Sequence, residues 1–69
     1  DKYCVCKTTE NPGGNHEVHK EGCQWWPLPE NREDLGEFSS CHGAVQEAKN
    51  RGYSNVDGCK DCCPDCHNK

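Results

Sequence analysis

The stretch Cys59-Lys60-Asp61-Cys62-Cys63-Pro64-Asp65-Cys66-His67 holds four of the chain's eight cysteines and one of its four histidines. Its reading decides the fold, because little else in the sequence can hold a fold together. Only 30% of the 69 residues are hydrophobic, even with the cysteines counted. At this length a hydrophobic core alone is marginal, and so polar a chain stays disordered unless covalent or coordinate bonds fix it. Cysteine chemistry is therefore the expected scaffold, through disulfides or a thiolate-held metal. One domain, residues 1–69, is expected.

Within the stretch, Cys59-x2-Cys62 has the spacing at which two thiolates of a tight turn face one metal ion, and Gly58 before it leaves the backbone free to bend. Upstream, His19-x3-Cys23 straddles Gly22, which ends a strand and lets both side chains turn toward one point. Together the pairs make a Cys3His set. The 35 residues between Cys23 and Cys59 are enough to form a packed unit around an ion.

Working outward, Tyr3-Cys4-Val5-Cys6-Lys7-Thr8-Thr9 alternates with period two and predicts a strand, with Tyr3 and Val5 on one face and Cys4 and Cys6 on the other. Asn11-Pro12-Gly13-Gly14-Asn15 predicts a turn, and His16 to Lys20 a second strand completing a hairpin. Prolines at 27 and 29 keep Gln24 to Pro29 out of regular structure, so Trp25 and Trp26 are expected to cover the core from a loop. Leu35 to Phe38 reads as a short third strand. A helix is expected from Ser39 or Ser40, either able to cap it, to Gly52, with Cys41, Ala44, Val45 and Ala48 on its inner face. Cys41 is then a buried small residue, a ligand or a disulfide partner. His42 is expected in solvent, His16 at the hairpin surface, and Tyr53 in the core behind the helix. The expected class is α+β: an N-terminal hairpin, a short third strand, one helix and a C-terminal cysteine knuckle.

The order His19-x3-Cys23, Asn31-Arg32, Phe38-Ser39-Ser40, a helix with Ala48, Gly52-Tyr53 and Cys59-x2-Cys62 resembles the metal-binding domain of the Ada DNA-repair protein and the short cysteine-rich bacterial proteins of that type. The resemblance covers roughly Glu17 to Cys62. It implies a small mixed sheet with a flanking helix and one zinc ion on His19, Cys23, Cys59 and Cys62. The family's repair activity uses a cysteine at the position matching His19 to accept a methyl group, and an imidazole is no thiolate nucleophile. The resemblance therefore implies the fold and the metal without the repair.

Cys4, Cys6, Cys63 and Cys66 form a second candidate set, either another metal site or two disulfides clamping the N-terminal strand to the C-terminal end. Cys63-Pro64-Asp65-Cys66-His67 also spells the Cys-x-x-Cys-His haem-attachment signature, but a chain without methionine and with so little apolar sequence does not wrap a porphyrin. Thiol redox work by the Cys-x2-Cys pairs lacks a surrounding parallel βαβ pattern. The carboxylates Glu33, Asp34, Asp57 and Asp61 are expected to be solvated.

The net charge of −4, without any basic block, argues against nucleic acid as a partner, and no apolar run is of membrane-spanning length. The leading expectation is a monomeric, non-enzymatic zinc module with a protein partner or a part in metal handling, since four protein ligands leave no open position for a substrate. The rival is an extracellular domain with four disulfides, acting as a ligand, toxin, pheromone or inhibitor. Zinc would suit the cytoplasm and disulfides an extracellular setting. Asp1 in place of methionine fits a secreted chain after leader removal and equally a shortened one.

Overall fold

Strand formers in the N-terminal segment pair as their alternation predicts. In the computed structural model, which describes residues 1–9 and 14–67, β1 (Lys2–Cys6) and β2 (His16–Lys20) are antiparallel. Tyr3 lies opposite Lys20, Cys4 opposite His19 and Val5 opposite Val18. The first strand ends at Cys6, short of the expected Thr9. Residues 11–13 of the expected turn lie outside the described residues.

The third strand is longer than its apolar residues suggested. β3 (Arg32–Glu37) pairs antiparallel with the other edge of β1. Tyr3 faces Gly36 and Cys4 faces Asp34, which leaves Leu35 as an extra residue, a β-bulge. Gly36 beside it has a φ of 101°, a left-handed conformation that suits glycine, and Leu35 is buried in the core.

The helix α1 (Cys41–Asn50) follows Ser40, whose extended backbone makes it the N-cap residue although its hydroxyl forms no capping bond. It stops in a Schellman arrangement: Gly52 has a φ of 101°, its N–H donates to Lys49 O at 3.1 Å, and Tyr53 N–H donates to Ala48 O at 3.2 Å. Cys41, Ala44 and Ala48 form its buried face. They join Tyr3, Val5, Val18 and Leu35 in one cluster, so the helix covers the Tyr3/Val5 side of the sheet. Cys4 and Cys6 occupy the opposite side by strand alternation and are fully buried there too.

A fourth strand, β4 (Val56–Gly58), lies parallel to β2 and gives the order β3-β1-β2-β4. Three residues, one of them a glycine, carry no periodic signal, which is why the sequence did not mark it. Beyond it a single 3-10 turn, Pro64–Cys66, brings Cys66 against Cys41. These two are joined by a disulfide with a Cα–Cα distance of 6.4 Å and a sequence separation of 25. Closing a loop of that size stabilises the fold by on the order of 3 kcal/mol.

The molecule is thus a small α+β cysteine-rich domain with a mixed sheet and one helix. Two expectations are corrected. Trp25 does not cover the core but is 58% exposed, because its loop turns outward; Trp26 sits beneath Arg32, whose guanidinium carbon lies 5.1 Å from the ring centroid. Asp57 is not solvated but 2% exposed, its Oδ2 lying 3.0 Å from His67 Nδ1. Tyr53 is half-buried against the core and donates its hydroxyl to Glu33 Oε1 at 2.8 Å. Among the described residues no helix is long and apolar enough to cross a membrane.

Candidate metal centre

The parallel pairing of β4 on β2 brings the two halves of the chain to one point. Where β4 ends, Cys59 N–H donates to Val18 O at 3.0 Å and continues the ladder. One step further along β2, Lys20 N–H meets the sulfur of Cys62 at 3.3 Å instead of a carbonyl. The knuckle therefore takes over the edge of β2 beside His19. Its turn is closed by Cys63 N–H donating to Cys59 O at 2.7 Å, and the Cys59 sulfur accepts backbone hydrogen bonds from Asp61 and Cys62. On the other side, Cys23 follows a turn closed by its own N–H on Lys20 O at 3.1 Å, and its sulfur accepts the N–H of Trp25 at 3.4 Å.

These constraints bring His19, Cys23, Cys59 and Cys62 together, with one ligand atom from each all within 4.8 Å of one another. His19 Nδ1 lies 3.8 Å from the Cys23 sulfur and 3.9 Å from that of Cys62. An ion held tetrahedrally by thiolates at about 2.3 Å and an imidazole at about 2.0 Å needs donors about 3.5–3.8 Å apart. The observed separations fit it with small adjustments, and the group can hold a metal ion. The other imidazole nitrogen, Nε2, faces Glu17 Oε1 at 3.7 Å, the type of outer carboxylate that fixes a ligating histidine's orientation.

Electrostatics at the site follow from burial. His19 is fully buried, Cys59 nearly so, and Cys23 and Cys62 half-buried. Burial raises the thiols of Cys59, Cys62 and the adjacent Cys63 above the ordinary range. A coordinated cation reverses that preference, since a bound thiol gives up its proton, while the N–H groups aimed at the sulfurs favour the thiolate.

The outer wall is a clasp between the two loops. Trp25 Nε1 and Gln24 Nε2 both donate to Asp61 Oδ2, the second at 3.5 Å. Lys20 to Gln24 and Asp61-Cys62 line a cavity of about 520 Å³ over this face.

The second candidate set is not brought together. Cys66 is bonded to Cys41, while Cys4 and Cys6 lie on the sheet face away from the helix and from that disulfide. Burial pushes the Cys4 thiol up to about 12, and the sulfur of Cys6 lies 3.3 Å from Thr8 Oγ1. Cys63 instead borders the first group, its sulfur 3.9 Å from that of Cys62. The haem signature has no free pair either, as Cys66 is in the disulfide and His67 Nδ1 meets Asp57 and, at 3.1 Å, Gly58 O. His16 stands apart from the group, its Nδ1 lying 2.9 Å from Cys6 O. Spacing alone did not reveal a further group, Cys41, His42 and Cys66, whose ligand atoms also lie within 4.8 Å; only the Pro64 turn joins its two parts.

The chain matches no protein-family model, no curated protein and no solved structure.

Proposed function

We propose that the chain is a zinc-binding module in which the ion, held by His19, Cys23, Cys59 and Cys62, serves to fold the domain rather than to catalyse. The observation that carries this reading is the mutual approach of those four donors within 4.8 Å from two segments, 19–23 and 59–62, far apart in the chain. Three thiolates and an imidazole suit zinc among the first-row ions. All four tetrahedral positions come from the protein, so no position remains for a substrate or an activated water. The hydrophobic core is small, and apparent structural-zinc affinities of about 10–16 kcal/mol exceed what such a core supplies.

The resemblance to Ada-type domains enters on the same terms. We infer kinship in fold and ligand spacing, without methyl transfer, because His19 has no thiolate to accept a methyl group. The module's role is then to present a surface to a protein partner or to carry metal, acting as a monomer and without nucleic acid. An all-disulfide scaffold requires four bridges, and among the described residues, which include all eight cysteines, there is one, Cys41–Cys66, with the other six outside any disulfide. One zinc site plus one disulfide is the combination the geometry supports. Zinc titration of His19→Ala and Cys23→Ser against the native chain tests it: each variant should lose the ion and the cooperative fold.

A further inference from the structure

We propose that Cys41, His42 and Cys66 form a second metal site that opens when their disulfide is reduced, so that this pair of cysteines alternates between a covalent bridge and a thiophilic divalent ion of the zinc class. The three donors come from the first turn of α1 and from the Pro64 turn, and their ligand atoms already lie within 4.8 Å of one another. The Cα–Cα distance of 6.4 Å suits two cysteines sharing one ion as well as two cysteines bonded to each other. Little of the backbone has to move between the two states.

The surroundings differ from those of the first site in a way that matters. His42 is exposed while both sulfurs are buried. Beside them a cavity of about 450 Å³ is lined by His42, Val45, Gln46, Lys49, Asp65 and Cys66. An ion on Cys41, His42 and Cys66 would thus have three protein donors and one position facing this cavity, open to water or to the Asp65 carboxylate. A closed four-donor site retains its ion; a three-donor site at the surface can exchange it.

The chemistry balances with a dithiol as reductant. Its two thiols close to a disulfide, the Cys41–Cys66 S–S bond breaks, and the two sulfurs take up two electrons and two protons. Binding the divalent ion then releases those two protons from Cys41 and Cys66, while His42 contributes the lone pair of a neutral ring nitrogen. Neither step consumes a ligand of the first site.

The test is zinc titration of the full chain in the oxidised form and after treatment with a phosphine reductant, followed by native mass spectrometry and chelator competition. The phosphine takes oxygen from water and, unlike a dithiol, does not compete strongly for zinc. The expected result is one more zinc ion per chain after reduction. His42→Ala should weaken that additional ion by at least the roughly tenfold that loss of even an outer partner costs, with the ion count of the oxidised form unchanged. Because His42 is exposed, the variant keeps the fold. Cys41→Ser, which touches no ligand of the first site, should keep the ion of the oxidised form and gain none on reduction, whereas an oxidised native chain that binds no zinc is failure of the zinc-module reading, so the two failures are told apart. Equal ion counts in the two redox forms, or an additional ion indifferent to His42→Ala, would overturn the proposal.

Discussion

The sulfur of Cys62 lies 3.9 Å from Nδ1 of His19, although 43 positions separate them in the chain. The contact depends on a short parallel pairing, Val18 opposite Gly58, which delivers the knuckle to the end of β2. If an ion bridges these residues, removing the imidazole takes one donor of four and the main source of folding energy. His19→Ala is expected to abolish folding at neutral pH. His19→Cys, which restores a thiolate donor, should keep both ion and fold. Zinc-dependent circular dichroism of the two variants checks this; a folded His19→Ala chain would speak against it.

Gly58 is required by space rather than by φ. A Cβ there would lie 2.6 Å from Cys66 Cβ, 2.8 Å from Cys63 O and 2.9 Å from the carbonyl carbon of Cys66. Two of those atoms are backbone and the third belongs to a disulfide, so none moves cheaply. Gly58→Ala should cost about 3 kcal/mol, the upper end for overpacking. Gly22→Ala, strained by its φ of 91° but with nothing within 4 Å of the added carbon, should cost about 1–2 kcal/mol. Thermal melts of the two zinc-loaded variants give the order.

What the sequence made legible, and what it did not, follows from range. Alternation in Tyr3 to Cys6, the strand from His16 to Lys20, and the spaced apolar face of α1 are local signals, and each corresponds to an element of the fold. The spacings His19-x3-Cys23 and Cys59-x2-Cys62 likewise singled out the four residues that the sheet gathers. The partner of Cys66 was not legible. The Cys63-x2-Cys66 spacing suggested that these two act together, whereas the Pro64 turn points Cys66 at Cys41 and leaves Cys63 beside Cys62. Trp25 departs from expectation because an aromatic pair just ahead of two prolines reads as core cover, while its indole has a polar partner, Asp61, 36 residues away.

Alkaline pH should expose a second electrostatic link. Burial, and after it the hydrogen bond and charge of Glu33, raise the Tyr53 hydroxyl above its ordinary value. A raised acid of this kind adds stability that is fully present below the unfolded value of about 10 and is lost as the pH rises through the folded value. The phenol absorbance titration should therefore show Tyr53, identified by difference from Tyr53→Phe, ionising above that value. Glu33→Gln should bring it down part of the way, leaving the share due to burial. A Tyr53 that titrates at or below the ordinary value would contradict the contact.

Thiol counting separates the cysteine classes. Six cysteines lie outside the one disulfide and two form it, so unfolding with a chelator but no reductant should expose six alkylatable thiols, and adding reductant all eight. In the native chain Cys4 and Cys6, fully buried, should stay unmodified. Cys23 and Cys62, half-buried, should react only once a chelator has taken the ion. Peptide mapping of the alkylated chain reads these three classes; modification of Cys66 before reduction would contradict the Cys41–Cys66 bond.

Native mass spectrometry of the non-reduced protein, repeated in acid and followed by alkylation, tests the central claim most directly. One zinc ion per chain, lost in acid and absent from His19→Ala and Cys23→Ser, with the mass of a single disulfide remaining, is the result predicted. A metal-free native chain whose eight cysteines are all paired and inert to alkylation would contradict it.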